Sequence, residues 1–191
     1  MTEGKSQIPA EFGREFLLQK IEQTAKSALK GGKITEILCN SGPNGRTLTT
    51  TYIKQTFGAL GHSLGYFVNT CGAHYPDTDG GEWLYDMLWS HTEEDGDYEQ
   101  FMVLESELET TDTGAVDDDF LKLVQARADV RVYIAVCNNR ETAHQLIGNC
   151  KRAASAFRGA VPGDAYVFAV WDWTTGRTSV ERFCVPAPAT A

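Results

Sequence analysis

Hydrophobic positions along this chain change period several times, and each change marks an element. Phe12, Phe16, Leu17, Ile21 and Ala28 recur at helical spacing after Pro9, which suits a first helical turn, and Gly31-Gly32 ends that run. Ile34 to Cys39 reads as a short strand or a helix tail. The polar, glycine-rich stretch Asn40 to Thr47 reads as a turn with Thr47 as a cap. Tyr52, Ile53, Phe57 and Leu60 restore the helical period over Leu48 to Leu60, with Gly61 as terminator. Gly65 to Cys71 is the first core strand, and a loop from Gly72 to Gly81 follows it.

The period then becomes two. Glu82 to Trp89 and Phe101 to Leu108 are crowded with aromatic and branched residues and contain neither Gly nor Pro. Alternation places Trp83, Tyr85, Met87 and Trp89 on one face of the first strand and Glu82, Leu84, Asp86 and Leu88 on the other. In the second strand Phe101, Val103, Glu105 and Glu107 share a face. Antiparallel pairing of the two strands brings Asp86, Glu105 and Glu107 onto one patch of sheet. Three carboxylates so placed repel one another and lose hydration, a cost that a hard divalent ion such as Mg²⁺ relieves. The alternative is that these are ordinary solvated acids on a sheet.

The acidic run Glu93 to Asp97 belongs to the long hairpin loop between these strands. Asp117 to Asp119 then open a helix, where the helix dipole favours negative charge, with Phe120, Leu123 and Val124 inward and Lys122 on the flank. Gln125 lies one turn beyond Lys122. Val130 to Cys137 is a buried strand, Arg140 to Phe157 a helix with Ala143, Leu146, Ile147, Cys150 and Ala154 inward, and Tyr166 to Trp173 with Thr178 to Val185 a hairpin. The chain has no internal repeat and no linker. Residues 1–191 read as one domain.

Composition adds three constraints. The 191 residues suit a single sizeable core, and no run is long and apolar enough to span a membrane. The N-terminus lacks the apolar core of a signal peptide. Five scattered cysteines without metal-ligand spacing read as buried thiols of a reducing cytoplasm. The net charge of −9 opposes simple affinity for nucleic acid, although the acids concentrate in the middle and both ends are mildly basic.

An Asp on one strand followed by Glu-x-(Lys or variant) on the next resembles the signature of the PD-(D/E)XK nuclease superfamily. Here the matching segments are Glu-Trp-Leu-Tyr-Asp ending at Asp86, Leu-Glu-Ser-Glu ending at Glu107, and Asp-Phe-Leu-Lys-Leu around Lys122. They look like a bacterial branch of that superfamily, with the resemblance running from about Thr47 to Cys137. It implies an α/β fold with a restriction-endonuclease-like αβββαβ core, a mixed central sheet flanked by helices, an added N-terminal helix and a C-terminal β-hairpin. Two departures stand out. Glu107 occupies the usual Lys position, and Tyr85 precedes Asp86 where the family name has Pro. Some members carry the Lys on the following helix, where this chain has Lys122; no Lys or Arg lies between Lys54 and Lys122.

The resemblance implies a nuclease hydrolysing phosphodiester bonds, with DNA the expected partner and a homodimer plausible for cutting two strands. Asp86 and Glu105 would hold Mg²⁺ or Mn²⁺ with the backbone carbonyl of Ser106, and the ion would activate the attacking water. Lys122 would orient that water or neutralise charge on the phosphate, and Glu107 would be a further ligand or a general base. Gln125 and Arg46 could contact a phosphate oxygen, and Glu11, Glu15 or Glu22 could supply a first-helix acid. Asp86→Asn is expected to abolish metal-dependent cleavage and leave the fold intact. The rival reading keeps the fold without the chemistry, as a binding module such as a regulatory or toxin-system partner. A third would bind ATP through Asn40 to Thr47, but that loop departs from the G-x-x-x-x-G-K-[ST] pattern at its first Gly and its Lys.

Overall fold

The computed structural model describes residues 13–30, 32–70, 79, 84–92, 98–111 and 113–187. Its elements, in order, are α1 (Arg14–Ala28), α2 (Gly32–Asn40), a short 3-10 turn (Gly42–Asn44), α3 (Gly45–Ser63), β1 (Phe67–Thr70), β2 (Met87–Thr92) and β3 (Tyr98–Thr111). These are followed by α4 (Asp118–Gln125), β4 (Val130–Cys137), α5 (Arg140–Ala156), β5 (Ala165–Asp172) and β6 (Arg177–Cys184). The proposed helix start at Pro9 and Phe12, the loop from Gly72 to Gly81 apart from Asp79, Glu82, Trp83, and the acidic run Glu93 to Asp97 lie outside the described residues.

Six strands form one mixed sheet in the order β1-β2-β3-β4-β5-β6. β3, β4 and β5 run parallel, while β1, β2 and β6 run antiparallel to their neighbours. Every residue of β4 and β5 is buried, as parallel strands covered on both faces must be. The crossovers through α4 and α5 both step the same way across the sheet. A constant right hand therefore puts both helices on one face. There they cover Val103, Tyr133, Phe168 and their neighbours, while α1, α2 and α3 cover Met102, Leu104, Val132 and Val167 on the other face.

Local chemistry sets several boundaries. Ile34 to Cys39 is helical, resolving the open choice between strand and helix. Asn44, not Thr47, occupies the N-cap of α3, so Thr47 lies inside the helix. Gly61 does not stop α3, which continues to Ser63. A Cβ there would come within 2.7 Å of the Trp89 indole and 2.8 Å of Val68, so the glycine lets the helix lie close on β1 and β2. Cys39 and Cys184 are exposed free thiols, contrary to the reading of all cysteines as buried. No helix among the described residues is long and apolar enough to cross a membrane.

Candidate functional site

β2 begins at Met87, so Asp86 stands just beyond the strand's end rather than within it. Met87 pairs with Leu104, which brings Asp86 beside Glu105 and Ser106 of β3. Asp86 Oδ2 accepts from the Ser106 backbone N–H at 2.9 Å and from its hydroxyl at 2.7 Å. Backbone N–H groups of a sheet point along its plane. The carboxylate therefore sits in that plane, taking the place of the next acceptor on β2. From below, α3 delivers Lys54, whose Nζ lies 3.2 Å from Asp86 Oδ1 although Lys54 is only 2 % exposed.

Glu105 reaches the opposite face. It follows the parity of Val103, which packs against α4 and α5, and it is 3 % exposed. Lys122 of α4 places Nζ 3.0 Å from Glu105 Oε1 and 2.6 Å from Asp119. The orientation at Glu105 is that of an ion pair without a formed hydrogen bond: Oε1 is buried and accepts none among the described residues. Tyr85 packs on this same face, although strict alternation pairs it with Met87; the chain turns between the two. That turn is why Asp86 lies in the sheet plane and not on the expected patch with Glu105 and Glu107.

The two acids titrate in opposite directions. Burial pushes Asp86 up, but the Ser106 hydroxyl, the Lys54 charge and the Ser106 amide outweigh it and hold the carboxyl below its ordinary value. Burial of Glu105 wins over Lys122, and the charges of Asp86 and Asp119 add to it, so its pKa is pushed up to about 7. Lys122 is raised: Asp119 and Glu105 more than offset its burial. Glu107 is raised by burial, with Asp117 and Asp119 adding to the effect, while its Oε1 accepts from the Glu109 amide. Asp117 caps α4 through the Phe120 N–H at 2.7 Å and takes the Tyr133 hydroxyl, so it serves the helix start, as expected.

Other expected contributors lie elsewhere. The Gln125 amide donates to Leu121 O at 3.1 Å on its own helix and lines a cavity at the opposite end of β3 and β4, so it is not part of this site. Arg46 is 2.9 Å from Glu109, two residues past Glu107. Glu15 and Glu22 pair with Arg182 on β6, remote from the carboxylates, and Glu11 lies outside the described residues. Lys54 and Ser106 were not singled out as side-chain contributors. Lys54 shares a helix face with Phe57, Gly58 and Gly61 at i+3, i+4 and i+7, all buried, and a charge in that stripe was the available signal.

Among the described residues, no three of His, Cys, Asp and Glu gather closely enough to hold a metal ion. A Mg²⁺-type ion that keeps several waters needs only one or two carboxylates. Asp86 and Glu105 are neighbours across the strand pair but face different lysines, and Glu105 Oε1 is buried without a hydrogen bond among the described residues. No protein-family model, curated protein or solved structure matches this chain.

Proposed function

We propose that this chain is a divalent-metal-dependent phosphodiester hydrolase of PD-(D/E)XK type acting on nucleic acid. The observation that carries the reading is Glu105: a buried carboxylate with a pKa near 7, next to Asp86 and facing Lys122. The order α3-β1-β2-β3-α4-β4 supports it, since it repeats the αβββαβ sequence of the restriction-endonuclease-like core. So does Lys122, which reaches Glu105 from the helix that carries the displaced Lys in some members.

Asp86 and Glu105 would hold Mg²⁺ or Mn²⁺, which when bound supplies Lewis-acid activation of water and phosphate. Asp86 is ionised and oriented in advance by Ser106 and Lys54. Glu105 must release a proton before it can ligate, so metal affinity and proton release are coupled. Lys122 is cationic and 34 % exposed in its side chain, free enough to swing from Glu105 toward a phosphate oxygen. Glu107, with its raised pKa, is the candidate proton acceptor.

Calorimetric titration with Mn²⁺ tests this directly. Affinity is expected to fall by about tenfold for each pH unit below 7, and Glu105→Gln should abolish both that dependence and metal-dependent cleavage of DNA. Glu105→Gln is a cleaner variant than Asp86→Asn, which also removes the carboxylate facing buried Lys54. Absence of Mn²⁺ binding would instead favour the rival, a nuclease-fold binding module without chemistry. That rival has its own support, since both acids already carry a lysine counter-charge.

A further inference from the structure

The sheet has two edge strands, and the chain treats them differently. β1 is four residues long, and Asp79 closes its outer side at Val68. The Asp79 N–H donates to Val68 O at 2.9 Å, and Asp79 Oδ2 accepts from the Val68 N–H at 2.8 Å. β6 is eight residues long and pairs with β5 alone, in unbroken register. Among the described residues nothing hydrogen-bonds to the backbone groups on its outer side. Edge strands are ordinarily blunted by proline, by a bulge or by charges left standing at the edge. β6 contains no proline and no bulge. Its Glu181 and Arg182 are drawn onto the two helical layers, Glu181 to Lys151 of α5 and Arg182 to Glu15 and Glu22 of α1.

This open edge is also polar from end to end. Lys30 and Arg177, neither of them in an ion pair among the described residues, stand with Lys26 around a cavity of about 300 Å³ at the start of β6. Toward its end two acids of α1, Glu15 and Glu22, flank Arg182, with Glu22 also reaching back to Lys26. Free cations at one end and acids at the other match a second such edge turned end for end. The faces must agree as well. Residues opposed across an antiparallel pair share a face, and side chains alternate, so a two-fold axis passes through a residue and not between two. An axis at Glu181 or at Arg182 opposes like charges, and one at Val180 opposes Arg177 to Phe183. An axis at Ser179 sets Arg177 against Glu181 of the second copy, twice over by symmetry, and Thr178 against Val180.

We propose that β6 pairs with β6 of a second copy of this chain, antiparallel about a two-fold axis at Ser179, joining two six-stranded sheets into one. The occupant is the chain itself because the complementarity is between β6 and its own reverse. Such an axis stands perpendicular to the sheet, so both copies of Glu105 come to lie on the same face. The pairing stands whether or not Glu105 serves a nuclease.

Sedimentation equilibrium tests the association. The wild type is expected to sediment at twice the 21.0 kDa of one chain at micromolar concentration. Arg177→Glu should weaken dimerisation about tenfold, Glu181→Arg likewise, and the two together should restore most of it. Cross-linking tests the register. Ser179→Cys, in a Cys39→Ser/Cys184→Ser background that removes the exposed thiols, should form a covalent dimer with oxidised glutathione, because directly opposed strand residues lie within disulfide reach. Val180→Cys, opposed to Thr178, should not. A monomer at all concentrations, whether another segment covers the edge or nothing does, would overturn the proposal. So would a dimer indifferent to both charge reversals, or one cross-linked through Val180→Cys instead.

Discussion

Two lysine–carboxylate pairs stand at one end of the sheet, one on each side, and they behave oppositely. Lys54 and Asp86 meet beneath α3 at 3.2 Å, and Lys122 and Glu105 meet beneath α4 at 3.0 Å. Distance does not separate them. Asp86 also accepts two hydrogen bonds from Ser106, so its charged form is favoured despite burial. Glu105 Oε1 accepts no hydrogen bond among the described residues, and there burial wins. At Glu105 burial, reinforced by the neighbouring charges of Asp86 and Asp119, outweighs Lys122, whereas at Asp86 the Ser106 hydrogen bonds and Lys54 together outweigh burial. Asp86 is thereby a finished anchor, while Glu105 remains able to exchange its proton for another ligand.

The largest effect should come from the buried lysine. Lys54→Met removes the lysine that faces Asp86, and we expect a loss of about 3 kcal/mol in urea unfolding. Lys122→Met, at the more exposed pair, should cost less than about 1 kcal/mol. Equal losses would break the contrast between the two pairs.

A smaller effect separates the acids by pH. Glu105 has a folded pKa near 7, above its ordinary 4.5, so the native state holds an extra proton between those values. Its contribution to stability is therefore full below about pH 4.5 and is lost as the pH rises through 7. Glu105→Gln should be more stable than wild type by about 2 kcal/mol at pH 8, with the difference closing toward pH 4.5. Asp86 has the opposite sign. Its pKa is lowered, so its contribution is present above the ordinary carboxylate range and disappears on acidification. Thermal melts across pH read both trends.

The smallest change is Ser106→Ala. Removing the hydroxyl should cost about 1 kcal/mol and move the Asp86 pKa upward, measurable by carboxyl-detected NMR titration. An unmoved Asp86 would mean that the Ser106 hydroxyl does not help to hold it ionised.

Much of the fold was legible in the chain. The apolar run of β4, broken by Arg131, the helical stripes of α3 and α5, and the turn of the last hairpin each fall where local period puts them. The acid-rich strand pair was legible as well, including its antiparallel pairing. The face occupied by Asp86 was not, because strict alternation fails once a strand ends. Lys54 was passed over because a single charge within an apolar stripe reads as an interruption until its partner is known. Gln125 failed for a different reason: one helical turn beyond Lys122 carries a side chain toward the far end of the sheet.

By itself, then, the order of residues determined which segments become strands and helices, because hydrophobic period and turn chemistry act over a few neighbours. It also determined that acids would crowd one central strand, β3. Only the folded arrangement decided which cation meets which acid, and which carboxylate stays protonated near neutral pH. Those outcomes depend on burial and on contacts between residues far apart in the chain, such as Glu105 with Lys122 and Asp86 with Ser106, and no local pattern encodes them.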